Sequence, residues 1–493
     1  GTVPESADFV MFWWHIAAEK VRLGEGKNGA PHQFGFITTN SLRQTFNRRV
    51  LEPHLNDPKQ PLSLAFAIPD HPWTDAADGA AVRIAMTVGC VGLRPGRLLL
   101  SLKEIETQTD EFKVEFLVRE GKLFSDLTAG ADVSSSKNLI SNQDLSNRGV
   151  CLFGGGFIVP KDSLSALGIS DAEILNPVVK KYKNGKDLLQ RDRNVFVIDL
   201  FGLSDRDTLE RYPSIYQWVL DKVKPERDQN KREIRKRKWW LFGETNPKLR
   251  VQLKDLSSYI ATVETSKHRI FTMLDGDVLA DNMIVCIASD KIIYLGMLGS
   301  RIHILWALAA GGLLGPTPRY NKSVCFETFP FPDLSGPENE KLAARIGKLA
   351  EQIDQHRKRQ QAAHDSLTLT GIYNVLEKLR QQEPLSDKEK AIYNDGLVGI
   401  LRELHDELDR AVFEAYGWKD LADKLVGLPG ATTPFPEKSE AQAEAEEELL
   451  KRLVALNHQR AAEEANGQIR WLRPDYQNPQ TAAQPEQTAL LPT

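Results

Sequence analysis

The chain has 493 residues, of which 41% are hydrophobic and 26% are charged, so most of it can fold around buried cores. A chain of this length exceeds one ordinary domain, and about three domains are expected. Its longest apolar stretches are interrupted by charged residues, which excludes a membrane span. The first residues lack the basic start and cleavage site of a secretory signal, so a cytoplasmic protein is expected.

The four cysteines lie far apart in the sequence and suggest neither a zinc knuckle nor a disulfide framework. We expect them to be buried small apolar residues: Cys90, Cys151, Cys286 and Cys325. Four histidines on helical patterns show no partner acid or second ligand at metal-binding spacing, so no metal site is expected. These histidines are His15, His303, His405 and His458.

Charge is unevenly distributed, although the formal net charge is only −4. The segment Lys222 to Lys238 holds nine Lys/Arg against three acidic residues, which gives it a charge of +6. Such a run could be no more than a solvated helix face. However, it ends in Trp239 and Trp240, two large apolar side chains that require burial. The basic segment is therefore expected to be anchored to a folded body.

The beginning of the chain is predicted to alternate helices and strands. Residues 33–42 predict a short buried strand with a polar turn, and residues 41–55 predict a helix that stops at Pro53. Before them a helix begins at Ser6 and ends at Gly24. Its apolar residues share one face: Phe9, Phe12, Trp13, Ile16 and Ala17.

Three strands are predicted to follow, at residues 62–73, 80–92 and 97–105. This order of a helix, a strand, a second helix and then three strands is typical of an α/β fold. We predict half of a doubly wound sheet that ends in antiparallel strands.

From about Gly149 to Pro332, short β segments alternate with polar loops, which predicts a mixed α+β domain. After Pro337 helices are predicted, because two sets of apolar residues fall at 4-3-4 spacing. These are Leu342, Ile346, Leu349 and Ile353, and then Leu397, Leu401, Leu404 and Leu408. From Leu425 the chain resembles a linker, with one helix predicted from Ser439 to about Glu464.

Three segments together resemble gamma-class adenine-N6 DNA methyltransferases. Residues 7–24 and 34–44 resemble the helix and the strand with a Thr-Asn-Ser turn that follow the catalytic motif of these enzymes. Residues 71–89 resemble late strands of the same catalytic domain. Residues 300–332 resemble the end of the target recognition domain in large methyltransferases of restriction-modification and phage-defence (DISARM- or BREX-like) systems.

The resemblance extends through the helical segments 368–380 and 405–418 to the closing residues 471–477. It implies a site-specific adenine DNA methyltransferase that uses S-adenosylmethionine, binds duplex DNA and needs no metal. The enzyme would flip an adenine out of the duplex and methylate its N6 amine.

Two hallmarks of these enzymes are missing from the sequence. The glycine cluster Gly154–Gly156 lies between two β-like runs with no helix and ribose-binding acid after it, so a tight turn is expected there. The tetrapeptide [DNS]PP[FYW] is also missing. Asn176-Pro177 and Asn246-Pro247 lack the second proline and the aromatic residue, and both are expected to be turns. No catalytic or cofactor-binding residue is therefore assigned.

We expect four parts. Residues 1–145 would be the C-terminal half of a Rossmann-like methyltransferase domain, and residues 146–335 the target recognition domain. Residues 336–424 would be an α-helical domain, and 425–493 a tail.

The chain would open just after the catalytic motif, as a truncated product, a split enzyme or an expression fragment, and would be inactive alone. Its partners would be the missing N-terminal half or a separate catalytic or restriction subunit, and no membrane. The alternative function is a non-catalytic DNA-specificity subunit.

Two segments are predicted to bind DNA. In the basic segment the candidates for phosphate contact are Lys231, Arg232, Arg235, Lys236, Arg237 and Lys238. In the second, Gly315, Pro316 and Pro318 predict a rigid loop that presents Arg319, Asn321 and Lys322, whereas Tyr320 is expected to pack.

Two weaker predictions concern the predicted methyltransferase domain. Asn40 and Trp73 are weak candidates for a target-base pocket. Some relatives carry a stacking phenylalanine at the position that is Gly89 here, and Trp73 or Phe66 nearby could take its place, although core packing is the expected role of each. A nuclease role for Asp70 with Glu120 and Lys122 is set aside, because these residues lie far apart in the sequence.

Overall fold

A computed structural model describes residues 3–24, 29, 31–73, 83–106, 112–169, 177–314 and 317–479. They form a mixed α/β protein with several sheets and a helical C-terminal region. The chain divides into two compact units. Unit 1 comprises Gly1–Ser136 and Pro436–Ala455, and unit 2 comprises Lys137–Phe435 and Leu456–Thr493. The predicted four-part division stays a prediction.

Unit 1 is built on a five-stranded sheet with the order β1-β3-β2-β4-β5. Strand β3 runs antiparallel to both β1 and β2, so β1 and β2 are parallel to each other and end at the same edge of the sheet. Strands β2 and β4 are parallel, and β4 and β5 are antiparallel. The elements are α1 (Val10–Gly24), β1 (Gln33–Thr39), α2 (Thr45–Leu55), β2 (Leu62–Pro72), β3 (Arg83–Val91), β4 (Gly96–Glu106) and β5 (Phe112–Gly121).

Helix α1 is apolar on two faces, and the face that it buries is not the predicted one. Its buried residues include Met11, Trp14, Ala18 and Val21, which join the core of unit 1. Phe9 and Trp13 are 76% and 51% exposed and contact each other edge to face. The prediction failed because either face satisfies the helical period, and only tertiary packing selects between them.

Two further predictions for unit 1 need correction. Strand β1 is only partly buried, with Ile37 exposed, because β1 is an outer strand of the described sheet. Helix α2 continues past Pro53 to Leu55, since a proline in the last turn removes little from the helix. Strand β5 was not predicted, and residues 80–82 of the predicted strand 80–92 lie outside the described residues.

Gly89 has a packing role in unit 1. It lies opposite Phe34 in the β1–β3 pair, and a Cβ atom at this position would lie 2.5 Å from the Phe34 ring. The Phe34 ring packs edge to face on Trp14. A glycine at position 89 therefore makes room for this aromatic pair in the core.

Unit 2 contains two four-stranded sheets, with the orders β11-β10-β13-β6 and β12-β8-β9-β7, and a short hairpin of β14 and β15. Its described strands are β6 (Ser146–Arg148), β7 (Ile158–Pro160), β8 (Val179–Lys183), β9 (Val195–Ile198), β10 (Ser258–Val263), β11 (Phe271–Asp275), β12 (Val278–Ala280), β13 (Ile284–Ile287), β14 (Leu313–Leu314) and β15 (Thr317–Pro318).

The helices of unit 2 cluster toward the end of the chain, as predicted. Those between or beside the strands are α3 (Gly185–Leu189), α4 (Asp205–Arg211), α5 (Pro213–Lys222), α6 (Lys224–Asp228), α7 (Glu233–Arg237), α8 (Pro247–Leu253), α9 (Ile292–Gly299), α10 (Arg301–Ala310) and α11 (Lys322–Cys325). Those that follow are α12 (Glu340–Ala363), α13 (Leu369–Arg380), α14 (Asp387–Asp395), α15 (Val398–Ala415), α16 (Lys419–Leu425), α17 (Glu440–Ala465) and α18 (Pro474–Gln477). Residues of α17 belong to both units.

The apolar periodicity of the helical region matches its burial. Ile346, Leu349 and Ile353 of α12 are buried, and so are Leu401 and Leu408 of α15. Leu342 and Leu404 are half-buried, whereas Leu397 is 42% exposed because it precedes α15 as its N-cap. Among the described residues no single helix is long and apolar enough to cross a membrane. Helices α9 and α10 satisfy that test only as a pair bent by 62°.

Candidate nucleic-acid interface

The basic segment Lys222–Lys238 lies at the surface of unit 2, where it forms the end of α5 and the short helices α6 and α7. Four of its six candidate cations are exposed and two are half-buried. The exposed ones are Lys231, Arg232, Arg237 and Lys238, and the half-buried ones are Arg235 and Lys236. This arrangement presents a concentrated positive charge to solvent.

Buried side chains anchor this segment, as its sequence predicts. Trp239 is 7% exposed and packs edge to face on Tyr216, and the Trp240 indole donates a hydrogen bond to the Leu203 carbonyl at 3.0 Å. Arg227 is buried and donates to the Leu152 carbonyl at 2.8 Å. Burial lowers the pKa of Arg227. Arg227 therefore belongs to the fold and is not available to a ligand.

Arg235 is constrained by an aromatic ring. Its guanidinium lies 3.6 Å from the centre of the Phe153 ring, and Phe153 is 40% exposed. Phe153 has a φ of 48°, in the left-handed region, at the start of the Gly154–Gly156 turn. The stack gives one cation of the basic segment a fixed position.

Two arginines of unit 2 share one buried carboxylate, and we call them the arginine pair. Glu264 follows β10 and is 4% exposed, and its Oε1 atom accepts from Arg148 Nη2 at 2.5 Å and from Arg319 Nε at 2.6 Å. Arg148 and Arg319 remain 48% and 42% exposed. Together with Glu264 the pair carries a net charge of +1, and it presents two guanidinium groups to solvent in defined orientations.

The loop that contains Arg319 differs from the prediction in its details. Helix α10 ends at Ala310, and strands β14 and β15 follow and pair with each other, with Leu314 57% exposed. Pro318 lies in β15, and Gly315 and Pro316 fall outside the described residues. Tyr320 is 1% exposed, so its predicted packing role is confirmed.

Asn321 and Lys322 are both engaged in local structure. The Asn321 side chain accepts from the Ser323 backbone at 3.1 Å and caps α11. Lys322 Nζ lies 2.8 Å from Glu327 Oε1. These two residues can reach a ligand only with their remaining donors, so Arg319 is the most available of the three candidates in this loop.

The two weaker candidates lie in unit 1. Asn40 directly follows β1 and Trp73 directly follows β2, and both strands end beside the start of β3. Asn40 donates to Asp70 at 3.0 Å, and Asp70 accepts from Arg83 at 2.7 Å. Trp73 is 45% exposed. The two residues therefore share one edge of the sheet, the carboxyl edge of β1 and β2.

The predicted tight turn at Gly154–Gly156 is confirmed, with Gly155 beginning a short 3-10 turn. A Cβ atom on Gly156 would lie 2.3 Å from the Lys222 carbonyl oxygen, so the glycine serves close chain packing. Asn246 is the cap of α8, with Pro247 in its first turn, rather than a simple turn. Asn176 falls outside the described residues. The packing of Gly154 and Gly156 thus accounts for the glycine turn without a cofactor.

Sequence reasoning missed Arg148, Glu264 and Phe153. Glu264 directly follows the run Tyr-Ile-Ala-Thr-Val, and an acidic residue at the end of an apolar strand was a signal that could have been noticed. Arg148 and Phe153 are five residues apart in the chain, which limits their separation to about 18 Å. The arginine pair and the Arg235–Phe153 stack are therefore neighbours in unit 2.

Residues 133–333 match the family model of the MmeI target recognition domain. DNA methyltransferase A of Bacillus subtilis (strain 168) is 29% identical to the chain over 110 residues, which is 22% of this chain and 12% of the Bacillus protein. The predicted resemblance to DNA methyltransferases of restriction-modification systems, with a target recognition domain, is thereby confirmed.

A solved structure shares the fold of most of the chain. It is that of the type IIL restriction-modification enzyme MmeI in complex with DNA, which matches with a TM-score of 0.64 at 18% sequence identity. The match covers 94% of this chain and 54% of the MmeI chain. The chain thus spans about half of MmeI and a small part of the Bacillus protein.

Proposed function

We propose that this chain, whose residues 133–333 match the MmeI target recognition domain, recognises a specific duplex DNA sequence for adenine-N6 methylation in a restriction-modification system. The observation that carries the proposal is the arginine pair inside the matched region. Two half-exposed guanidinium groups oriented by a buried carboxylate are suited to reading base edges.

In this proposal the two basic surfaces have different tasks. The exposed cations of the basic segment bind phosphates, which gives affinity without sequence preference. Arg319, and with it Arg148, donates to the O6 and N7 acceptors of guanine in the major groove. Asn321 and Lys322 add contacts from the same loop. Lys231, Arg232, Arg237 and Lys238 are the phosphate contacts that the exposure of the segment favours.

Unit 1 would be the later part of the methyltransferase domain. Its parallel strands β1 and β2 end at one edge of the sheet, and α/β sheets bind ligands at the carboxyl ends of their strands. Asn40 and Trp73 would there contact a flipped adenine. The complete enzyme would take S-adenosylmethionine, which supplies the methyl group, and the residues that hold it would be contributed from outside this sequence.

The second candidate function is that of a DNA-specificity subunit that acts with a separate catalytic or restriction chain. It is favoured by one observation, namely that the sequence contains neither [DNS]PP[FYW] nor a glycine-rich turn of the cofactor-binding type. Both candidates make the same prediction for DNA recognition and differ in where the catalytic residues reside.

DNA recognition is tested by selecting duplexes from a randomised library with the purified chain and sequencing the bound fraction. We expect one short motif to be enriched, and we expect the variant Arg319→Ala to lose discrimination at a guanine of that motif. Binding without any enriched motif would contradict the proposal.

The catalytic assignment is tested with tritiated S-adenosylmethionine and a duplex that contains the selected motif. We expect no incorporation by the chain alone, and incorporation when a partner chain with both missing motifs is added. Incorporation into adenine by the chain alone would show that its own residues complete the active site.

A further inference from the structure

Three potential metal ligands meet between the two helices of unit 1. His15 and Glu19 lie one turn apart on α1, and His54 lies in the last turn of α2. His15 Nδ1 is 2.8 Å from His54 Nε2, and His54 Nδ1 is 3.4 Å from Glu19 Oε1. One ligand atom from each of the three side chains lies within 4.8 Å of the others. The prediction that His15 lacks a partner was wrong, because His54 is distant in sequence but adjacent in the fold.

Two carboxylates and one arginine surround these residues, and a bound cation would take Glu19 from Arg22, which keeps its pairing with Asp57. Arg22 lies 3.0 Å from Glu19 and 3.4 Å from His54, and it is also paired with Asp57. Glu19, Arg22 and Asp57 together leave a fixed charge of −1.

We propose that His15, Glu19 and His54 form a Zn²⁺ site. Two imidazole nitrogens and one carboxylate oxygen are a donor set that zinc accepts, with water as the fourth ligand. Zinc–ligand distances of about 2.0–2.2 Å place tetrahedral ligand atoms ~3.4 Å apart. His54 can bind one ion through only one of its nitrogens, so its Nε2 contact with His15 and its Nδ1 contact with Glu19 are not both edges of one tetrahedron. With one ligand atom from each residue, the three atoms lie within 4.8 Å of one another, and side-chain rotations would bring them to the tetrahedral spacing.

The proposed ion would tie α1 to the C-terminal end of α2. His54 is 3% exposed and its ring lies 5.8 Å from that of Trp14, so the site borders the core of unit 1. Asp57 holds Arg22 beside the ligands and would tune the site as an outer-shell residue. The site is independent of DNA recognition by unit 2.

The proposal is tested on the full chain after dialysis against a chelator. The measurements are the stoichiometry of Zn²⁺ binding by calorimetry, the melting temperature with and without Zn²⁺, and the visible absorption of the Co²⁺ form. His15→Asn and His54→Asn are compared with His32→Asn, a matched control that removes an exposed histidine of unit 1. The control matters because the chain has 10 histidines that can bind zinc non-specifically.

We expect the chain and its His32→Asn control to bind one equivalent more than either ligand variant, and to melt at a higher temperature with Zn²⁺. The Co²⁺ form should show the intense visible bands of four-coordinate cobalt, and His15→Asn should lose them. His15 is only half-buried, so His15→Asn should retain the circular dichroism of the parent chain. Equal Zn²⁺ binding by the parent and a folded His15→Asn chain, or no binding by the parent, would overturn the proposal.

Discussion

The basic segment and the arginine pair use positive charge in opposite ways. In the basic segment, Lys231, Arg232, Arg237 and Lys238 are exposed to solvent in and beside the short helix α7. In the arginine pair, both guanidinium groups are held by Glu264, which is itself almost fully buried. The first surface concentrates charge, whereas the second fixes the direction of its donors.

This difference assigns general affinity for DNA and specificity for one DNA sequence to different surfaces of unit 2. A phosphate accepts a hydrogen bond from many directions, so a mobile lysine contacts it as well as a fixed one. A guanine edge requires two donors in one plane at a set spacing, and a pre-oriented guanidinium loses less side-chain entropy on binding it. We therefore assign sequence readout to the arginine pair and general DNA affinity to the basic segment.

The largest effect is expected from removing the anchor of the basic segment. Trp239→Ala deletes a buried side chain of the unit 2 core, and we expect the free energy of unfolding to fall by about 3–5 kcal/mol. Urea denaturation measures this loss. Trp73→Ala is the matched control, because Trp73 is 45% exposed and its removal should change stability little. Equal losses for both variants would show that the segment is not anchored through Trp239.

The next effect concerns the carboxylate that orients the arginine pair. Glu264→Ala removes the acceptor shared by Arg148 and Arg319, and we expect binding to the selected site to weaken by about 1–3 kcal/mol. Binding to unrelated duplex should be unchanged or slightly tighter, because the variant carries one negative charge fewer. Fluorescence anisotropy on both duplexes measures the two affinities. An equal loss of affinity for both duplexes would mean that Glu264 serves the stability of the fold alone.

A smaller and non-specific effect is expected from the basic segment. Replacing the exposed cations Arg232, Arg237 and Lys238 by alanine should flatten the slope of log affinity against log salt by up to about 2.7, if each contacts one phosphate. The same flattening should appear on the selected and the unrelated duplex.

The matched control for this change is the triple replacement of Lys341, Lys388 and Lys390, which removes the same charge from exposed positions of the helical region. This control should leave the salt slope unchanged. Equal slopes for the basic-segment variant and the parent chain would identify the segment as a solvated face.

The sequence predicted features that depend on neighbouring residues. The burial of Trp239 and Tyr320 followed from apolar side chains beside polar runs. Helices α12 and α15 followed from their apolar spacing, and α17 was predicted to within one residue at each end. In each case the signal lies within one or two helical turns.

Features that depend on distant residues could not be predicted. Arg148 and Glu264 are 116 positions apart and meet through strand pairing, and His15 and His54 are 39 positions apart and meet between two helices. Which apolar face of α1 is buried also depends on the sheet beneath it. Periodicity gives the faces of an element but not its neighbour in the fold.

The measurement that tests the division of labour most directly is the affinity of Arg319→Ala for the selected duplex and for an unrelated duplex of equal length. We predict a loss of about 1–3 kcal/mol on the selected duplex and little change on the unrelated one, with the salt slope altered by less than that of the triple variant. An equal loss on both duplexes would make Arg319 a phosphate contact. No loss on either, with circular dichroism unchanged, would contradict DNA readout by the arginine pair.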